Sequence, residues 1–162
     1  MSGAHQPVAH GFAPPPPGIT LRAATALDAG ALGQMITDAV RENAWKPRLH
    51  SAAEDIAHAA SLIERGWVTV ASRGPRPEAF IAREDDYVHA LFTDPAARAT
   101  GLGSALIRQA QQQRARLELW TFEANRAARA FYTRMGFVEI DRTAGDNDEG
   151  LPDIRLRWRA QS

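Results

Sequence analysis

The sequence predicts an α/β (α+β) domain with a mixed sheet, on two main observations. Stretches with apolar residues at helical spacing alternate with short stretches of β-branched and aromatic residues. The 162 residues, of which 44% are hydrophobic, suffice for one domain with one core. The predicted order is β-α-α-β-β-β-α-β-α-β-β, over a domain that spans residues 19–160.

Residues 1–18 are predicted to form a flexible tail outside this domain. Four consecutive prolines at positions 14–17 favour polyproline II and exclude a helix. A partner-binding motif in this tail is the alternative.

The first half of the domain contains a strand followed by two capped helices. Residues 19–22 alternate as a strand does, and capping boxes at 25–28 and 51–54 begin the two helices. In the second helix, the buried stripe is expected to comprise the residues Ile56, Ala59, Ala60 and Ile63.

The second half supplies the remaining elements. Predicted strands cover residues 67–72, 78–83, 87–92, 117–121, 137–142 and 154–158, and predicted helices cover about 103–114 and 125–135. In the last strand Arg155, Arg157 and Arg159 alternate with apolar residues and are expected to form a solvated face.

Composition narrows the function classes. Acidic and basic residues number 19 each, which argues against a nucleic-acid partner. The absence of cysteine excludes a cysteine nucleophile and thiolate metal sites. There is neither a long apolar run nor a signal-peptide pattern, so we expect no membrane partner and a cytoplasmic location. Lys46 is the only lysine.

The first candidate site is the turn over residues 98–104. Gly101 and Gly103 remove side chains where a helix begins, so backbone amides and the helix dipole face an incoming anion. Arg98 and Ser104 can add phosphate contacts. The turn is neither a dinucleotide fingerprint nor a Walker loop.

The second candidate site is the helix that begins at Asn125. Ala128, Phe131 and Tyr132 share one face of it, and such stripes usually pack a core. A buried phenol needs a partner, however, and Tyr132 near an active site can deliver a proton. Asn125 could cap the helix or hold an amide-rich ligand, and spacing alone leaves both open.

The two sites, in this order, resemble the GNAT superfamily of N-acetyltransferases, over residues 19–158. The most specific stretches are 91–95 running into 98–103, and 125–137. The region 119–143 with 152–155 is also similar to a bacterial subgroup without a settled substrate.

The resemblance implies a mostly antiparallel central sheet with splayed central strands, flanked by about four helices. Acetyl-coenzyme A (acetyl-CoA) would bind as cosubstrate in the slot between the two splayed strands, and no metal is implied. The residues implied to bind it are Leu91, Phe92, Thr93, Arg98, Ala99, Thr100, Gly101, Leu102, Gly103, Ser104, Asn125, Ala128, Phe131 and Tyr132. Tyr132 matches the tyrosine that protonates the departing thiolate. Ala99 and Thr100 depart from the family, which has a small and a basic residue there.

The expected reaction moves the acetyl group to a primary amine, preferably of a small molecule, by direct attack on the thioester. His89 is the first candidate for the general base, with Glu123, Asp85 and His50 as alternatives. The acidic loop formed by the residues Asp146, Asp148 and Glu149 is expected to be a solvated tip rather than an acceptor site.

Two other functions remain open at this stage, a non-catalytic acyl-CoA sensor and a protein or peptide acetyltransferase. A homodimer is possible.

Overall fold

Helices and strands follow one another in the predicted order. The protein is described by a computed structural model, which defines residues 14–161. The strands are β1 Thr20–Ala23, β2 Val68–Ser72, β3 Ala79–Glu84, β4 Tyr87–Thr93, β5 Arg116–Phe122, β6 Val138–Thr143 and β7 Asp153–Arg159. The helices are α1 Ala29–Glu42, α2 Ala52–Glu64, α3 Leu102–Gln113 and α4 Arg126–Arg134, with short 3-10 turns at Ala26–Asp28 and Pro95–Ala97.

Both predicted capping boxes are present. The Ser51 hydroxyl accepts a hydrogen bond from the Glu54 amide at 3.1 Å, and the Glu54 carboxylate accepts one from the Ser51 amide at 2.8 Å. Asp28 accepts from the Thr25 amide at 2.8 Å and from the Arg22 guanidinium at 2.9 Å. This first box heads the short turn before α1 rather than α1 itself.

The sheet has seven strands in the order β1-β2-β3-β4-β5-β7-β6. All neighbours are antiparallel except β4 and β5, which run parallel. The fold-class prediction of a mixed, mostly antiparallel sheet is therefore confirmed.

The two parallel strands separate almost at once. Each is seven residues long, yet they share one register pair, Tyr87 with Glu118. The Glu118 amide donates to the Asp86 carbonyl at 2.8 Å beside this pair. Past this point the facing edges carry no ladder, so a V-shaped slot opens in the middle of the sheet, as expected.

Each face of the sheet carries its own hydrophobic core. Helices α3 and α4 cover one face with buried residues such as Leu106, and α1 and α2 cover the other with residues such as Leu32. Gly33 lets α1 and α2 approach closely, because a Cβ there would lie 2.6 Å from the Ile56 Cα. The slot thus lies between two packed layers.

The buried stripe of α2 differs from the prediction. Ala59 is buried as predicted, but Ile56 is 41% exposed and Ala60 is exposed, whereas Asp55 and Leu62 are buried. Asp55 is buried against α1, where its carboxylate accepts a hydrogen bond from the buried Thr37 hydroxyl at 2.7 Å. A buried polar pair is not visible in an apolar repeat.

The expected solvated face of β7 is also wrong in part. Arg155 and Arg157 both donate to Glu118, whose side chain is only 10% exposed. Burial raises the pKa of Glu118, but the hydrogen bonds from the two arginines outweigh it and hold the pKa below its usual value. Arg159 alone is exposed as predicted.

The end of the proline-rich tail lies beside α3. Pro14, Pro15 and Pro16 line a cavity together with Leu21 and Arg108. The rest of the predicted tail, residues 1–13, lies outside the described residues. Within residues 14–161, no helix has the length and apolar character needed to cross a membrane.

Candidate active site

A cavity of about 450 Å³ fills the slot between β4 and β5. The structure brings thirteen of the fourteen predicted coenzyme-binding residues to its wall; these are Leu91, Phe92, Thr93, Arg98, Ala99, Gly101, Leu102, Gly103, Ser104, Asn125, Ala128, Phe131 and Tyr132. Thr100 is the exception. Residues from three separate elements therefore meet at one cavity.

The turn before α3 presents backbone amides to this cavity. Ala99 and Gly101 both have left-handed backbone conformations, with φ of 61° and 89°. The first hydrogen bond within α3 runs from the Ala105 amide to the Gly101 carbonyl at 3.0 Å. The amides of the first turn have no partner within the helix and can bind an anion.

Two arginines line the cavity. Arg98 lines the cavity, and its guanidinium is paired with the Glu42 carboxylate at the end of α1. Arg134, in the last turn of α4, lines the same cavity and is exposed. An entering phosphate would compete with Glu42 for Arg98.

Thr100 faces away from the cavity. Its hydroxyl donates to the Ala97 carbonyl, and its own carbonyl accepts from the Arg73 guanidinium. Thr100 thus closes the turn, and Arg73 brings a positive charge to it from the β2–β3 connection. Arg73 was not singled out by sequence, because nothing local links residues this far apart.

Tyr132 is buried and lines the cavity. Its ring packs edge-on against Phe131 and Phe137, with centroids 5.2 and 5.4 Å away. Burial raises the pKa of the Tyr132 phenol well above its usual value. The phenol therefore keeps its proton over the whole neutral range, as a hydrogen-bond donor requires.

Asn125 caps α4. Its side-chain oxygen accepts from the Ala128 amide at 3.1 Å, and both residues line the cavity. Capping and contact with a ligand are therefore compatible at this position.

Sequence reasoning missed one group of side chains in the wall of the cavity. Lys46 and Trp45, from the α1–α2 connection, line the wall beside Phe122 of β5. Trp45 packs edge-on against Phe122 at 5.6 Å. The Lys46 Nζ lies 6.0 Å from the Phe92 ring centroid and 5.7 Å from that of Phe122. Its status as the only lysine was the one available signal.

A second cavity of about 560 Å³ adjoins the first, and Lys46 lines both. Its wall comprises the residues Ile36, Val40, Lys46, Pro47, Leu49, His50, Glu54, Asp55, Ala57, His58, Asp148 and Glu149. Asp148 and Glu149 thus help to line a cavity, in addition to forming the expected loop. Four carboxylates face one lysine and two histidines here, which favours a cationic occupant.

His89 lies outside both cavities. It is the extra residue of a β-bulge, since Ala82 pairs with Ala90 while Arg83 pairs with Val88. Its ring stacks on Trp67 at 4.6 Å, and its Nε2 lies 3.0 Å from the Glu84 carboxylate. Because of the bulge, the His89 and Ala90 side chains lie on the same face of the sheet, which is the face covered by α1 and α2.

The three alternative bases have different positions. Glu123 is paired with Arg142 at 3.0 Å, and Asp85 lies in the β3–β4 turn with φ of 51°. His50 lines the second cavity. Glu123 lines a separate cavity of about 320 Å³ beside Arg142, and none of the four candidates lines the slot itself.

A slot between splayed parallel strands, with an amide-rich turn at one end and a buried phenol inside, defines a protein that binds a phosphorylated, extended ligand. Comparison with known proteins agrees. The model of the acetyltransferase (GNAT) domain family matches residues 48–139.

Individual relatives belong to the same class. The peptidyl-lysine N-acetyltransferase YjaB of Salmonella typhimurium is 32% identical over 110 residues, covering 68% of this chain and 72% of YjaB. The solution structure of apo YjaB from Escherichia coli matches with a TM-score of 0.70 and 23% identity, over 86% of this chain and 97% of that one. The structure of yncA from Salmonella typhimurium, solved with its cofactor acetyl-CoA, matches with a TM-score of 0.68 and 16% identity, over 90% and 95%.

The chain therefore belongs to the GNAT family of acetyltransferases. It is an acetyl-CoA-dependent acyltransferase of the N-acetyltransferase type.

Proposed function

We propose that the enzyme transfers the acetyl group of acetyl-CoA to the primary amine of a small, cationic molecule by direct attack on the thioester. One observation carries the proposal: the amide-rich turn, both arginines and Tyr132 all line the cavity between β4 and β5.

The coenzyme would lie along this cavity. Its pyrophosphate binds the amides before α3, with Arg98 and Arg134 as cationic partners. Its pantetheine arm follows the open edge of β4, over Leu91–Thr93, and replaces the ladder that β5 does not supply there. The thioester then lies near Tyr132, between the two strands.

The acceptor would approach from the second cavity. Glu54, Asp55, Asp148 and Glu149 surround that space, which is adjacent to the slot through Lys46. A protonated amine is attracted by these carboxylates before it loses its proton.

The reaction needs one base and one acid. After the ammonium group loses a proton, its nitrogen attacks the thioester carbonyl, the carbon–sulfur bond breaks, and Tyr132 gives a proton to the departing thiolate. The new amide nitrogen loses its second proton to water, and water returns a proton to Tyr132. No acyl-enzyme forms.

For the base we propose His89, acting through water because it does not line the cavity. Glu84 orients its ring, and its side chain is 31% exposed, which leaves a path for water. His89→Gln should lower kcat/KM about 100-fold or more, in the range of general-base catalysis. His50→Gln is the matched control, measured in the same steady-state assay. A larger loss in His50→Gln would transfer the role to His50.

Peptidyl lysine is the second candidate acceptor, since YjaB carries that name at 32% identity. A lysine side chain is itself a primary amine and could use the same chemistry. The distinction lies in what surrounds the amine rather than in the reacting atoms.

The test is a screen of small amines and lysine-containing peptides with acetyl-CoA, monitoring free thiol. The chain contains no cysteine, so every thiol detected comes from the coenzyme. We expect turnover with one or more small polyamines or amino sugars at lower concentration than with peptides. Turnover with peptides only would replace the first acceptor class by the second. Coenzyme binding without turnover across the panel would indicate an acyl-CoA sensor and contradict the proposal.

A further inference from the structure

Lys46 is placed where an acceptor amine has to arrive. It lines both the coenzyme cavity and the second cavity. Its Nζ is within 6.0 Å of the ring centroids of Phe92 on β4 and Phe122 on β5, so the amine lies across the opening between the splayed strands.

The surroundings of this amine are more apolar than those of a surface lysine. Two aromatic rings face it, and Trp45 packs edge-on against one of them, Phe122. Burial lowers the pKa of Lys46, against the opposing effect of Glu149 and Asp55. A larger share of Lys46 is therefore neutral and nucleophilic near neutral pH than of an ordinary lysine.

From this placement we propose that Lys46 is an acetylation site of the enzyme itself, modified in cis by acetyl-CoA bound in its own slot. This inference rests on the proposed function, because it uses the same thioester and the same cavity.

The step balances without a further reactant. The neutral Nζ attacks the carbonyl carbon of the thioester, the carbon–sulfur bond breaks, and an amide forms. The sulfur leaves as thiolate and receives a proton through Tyr132, while the excess proton on the new amide nitrogen passes to water. One acetyl-CoA yields one acetyl-lysine and one coenzyme A.

The modification changes the entrance to the slot. Acetylated Lys46 has no positive charge and adds an acetamide between Phe92 and Phe122. It would occupy the path of an external amine, so the acetylated form should turn over the acceptor more slowly. Acetyl-CoA without acceptor would thus lead to a less active enzyme.

The experiment incubates the full chain with acetyl-CoA and no acceptor, then maps acetylation by mass spectrometry and counts released thiol. We expect one acetyl group on Lys46 per thiol released, with a first-order rate that does not depend on protein concentration. Excess coenzyme A should slow the labelling, because it competes for the slot. A rate that coenzyme A does not change would indicate direct chemical acetylation and overturn the inference.

A matched variant relocates the amine. Lys46→Arg combined with Arg159→Lys places the single ε-amine at the exposed end of β7, far from the slot. We expect no acetylation at position 159 under the same conditions. Labelling there at the wild-type rate would contradict a role for the slot.

A parallel amine assay on the same preparation separates the two hypotheses. Turnover of an external amine with Lys46 unmodified would refute self-acetylation and leave the proposed function standing. No binding of acetyl-CoA by calorimetry would refute both.

Discussion

At the residue scale, Tyr132 combines burial with a place on the wall of the reaction cavity. Tyr132→Phe removes only the hydroxyl and leaves the packing against Phe131 and Phe137 intact. We expect kcat to fall about 100-fold or more, as for loss of a general acid, while the Kd of acetyl-CoA changes little. Steady-state thiol release and calorimetry would measure the two effects. Equal turnover of both proteins would remove the acid role.

The raised pKa of Tyr132 gives this prediction a pH dependence. Because burial holds the pKa above its usual value, the protonated form persists past the pH at which an exposed tyrosine ionises, about 10. Ionisation of Tyr132 should therefore cause no fall in the rate of the wild type below about pH 10. The pH–rate profiles of the wild type and Tyr132→Phe should have the same shape up to that pH.

The pair of Arg98 with Glu42 predicts competition at the phosphate site. Glu42→Gln frees Arg98 and removes a negative charge beside the expected pyrophosphate, so the Kd of acetyl-CoA should fall. Both side chains are at least one-third exposed, and such pairs contribute up to about 1 kcal/mol, or about fivefold in Kd.

Glu64→Gln, at the exposed end of α2, is the charge-matched control for Glu42→Gln. It should leave the Kd as in the wild type. Weaker binding in Glu42→Gln would mean that the carboxylate orients Arg98 rather than competing for it.

At the scale of the element, two glycines lie around the start of α3, and the physical reason for glycine differs between the two positions. Gly101 has φ of 89°, a region that costs other residues about 1–2 kcal/mol. Gly103 lies within α3, where an added Cβ would lie 3.7 Å from Phe131 and 3.8 Å from Thr93, at ordinary contact distance.

The two substitutions should therefore separate stability from binding. Gly101→Val should lower both Tm and coenzyme affinity. Gly103→Ala should keep or raise Tm, because alanine favours helix, yet weaken binding by narrowing the cavity. Thermal unfolding and calorimetry on both variants would test this. Unchanged affinity in both would place the pyrophosphate elsewhere.

Elements defined by local chemistry were predictable from sequence. Asn125 and Gly136 bracket α4 as predicted, since one caps the first turn and the other has φ of 91° after the last. The candidate cavity was predictable in the same way, because its turn and its helix carry their own signals.

Contacts between distant elements were not predictable. The pairs of Arg98 with Glu42 and of Arg155 with Glu118 depend on how helices and strands stack, and a periodic pattern holds no information on them. The face of the sheet on which the His89 side chain lies depends on a bulge that shifts the register by one residue. The position of Lys46 between β4 and β5 was not predictable for the same reason.

At the scale of the whole molecule, Asp86 links the β3–β4 turn to the start of β5 at the closed end of the slot. Its carboxylate accepts from Arg114 at 2.8 Å and from Arg116 at 3.0 Å, and these hydrogen bonds lower its pKa. The stabilisation is therefore present above the ordinary aspartate pKa and is lost as the pH falls through the lowered value.

Asp86→Asn should lower Tm near neutral pH and make Tm less dependent on pH in the acidic range. Asp146→Asn, in the exposed β6–β7 loop, is the control. Thermal unfolding at several pH values measures both. Parallel Tm curves for Asp86→Asn and the wild type would contradict this role.

The sparse pairing between β4 and β5 also bears on how long the protein lasts in a cell. One register pair joins β4 to β5, so a coenzyme seated in the slot would add contacts to both strands where the ladder between them is missing. A ligand at about 100 times its Kd adds about 2.7 kcal/mol to the free energy of unfolding. Proteases that degrade transiently opened chains would then remove this enzyme fastest when acetyl-CoA is scarce. The abundance of the enzyme would follow its own cosubstrate.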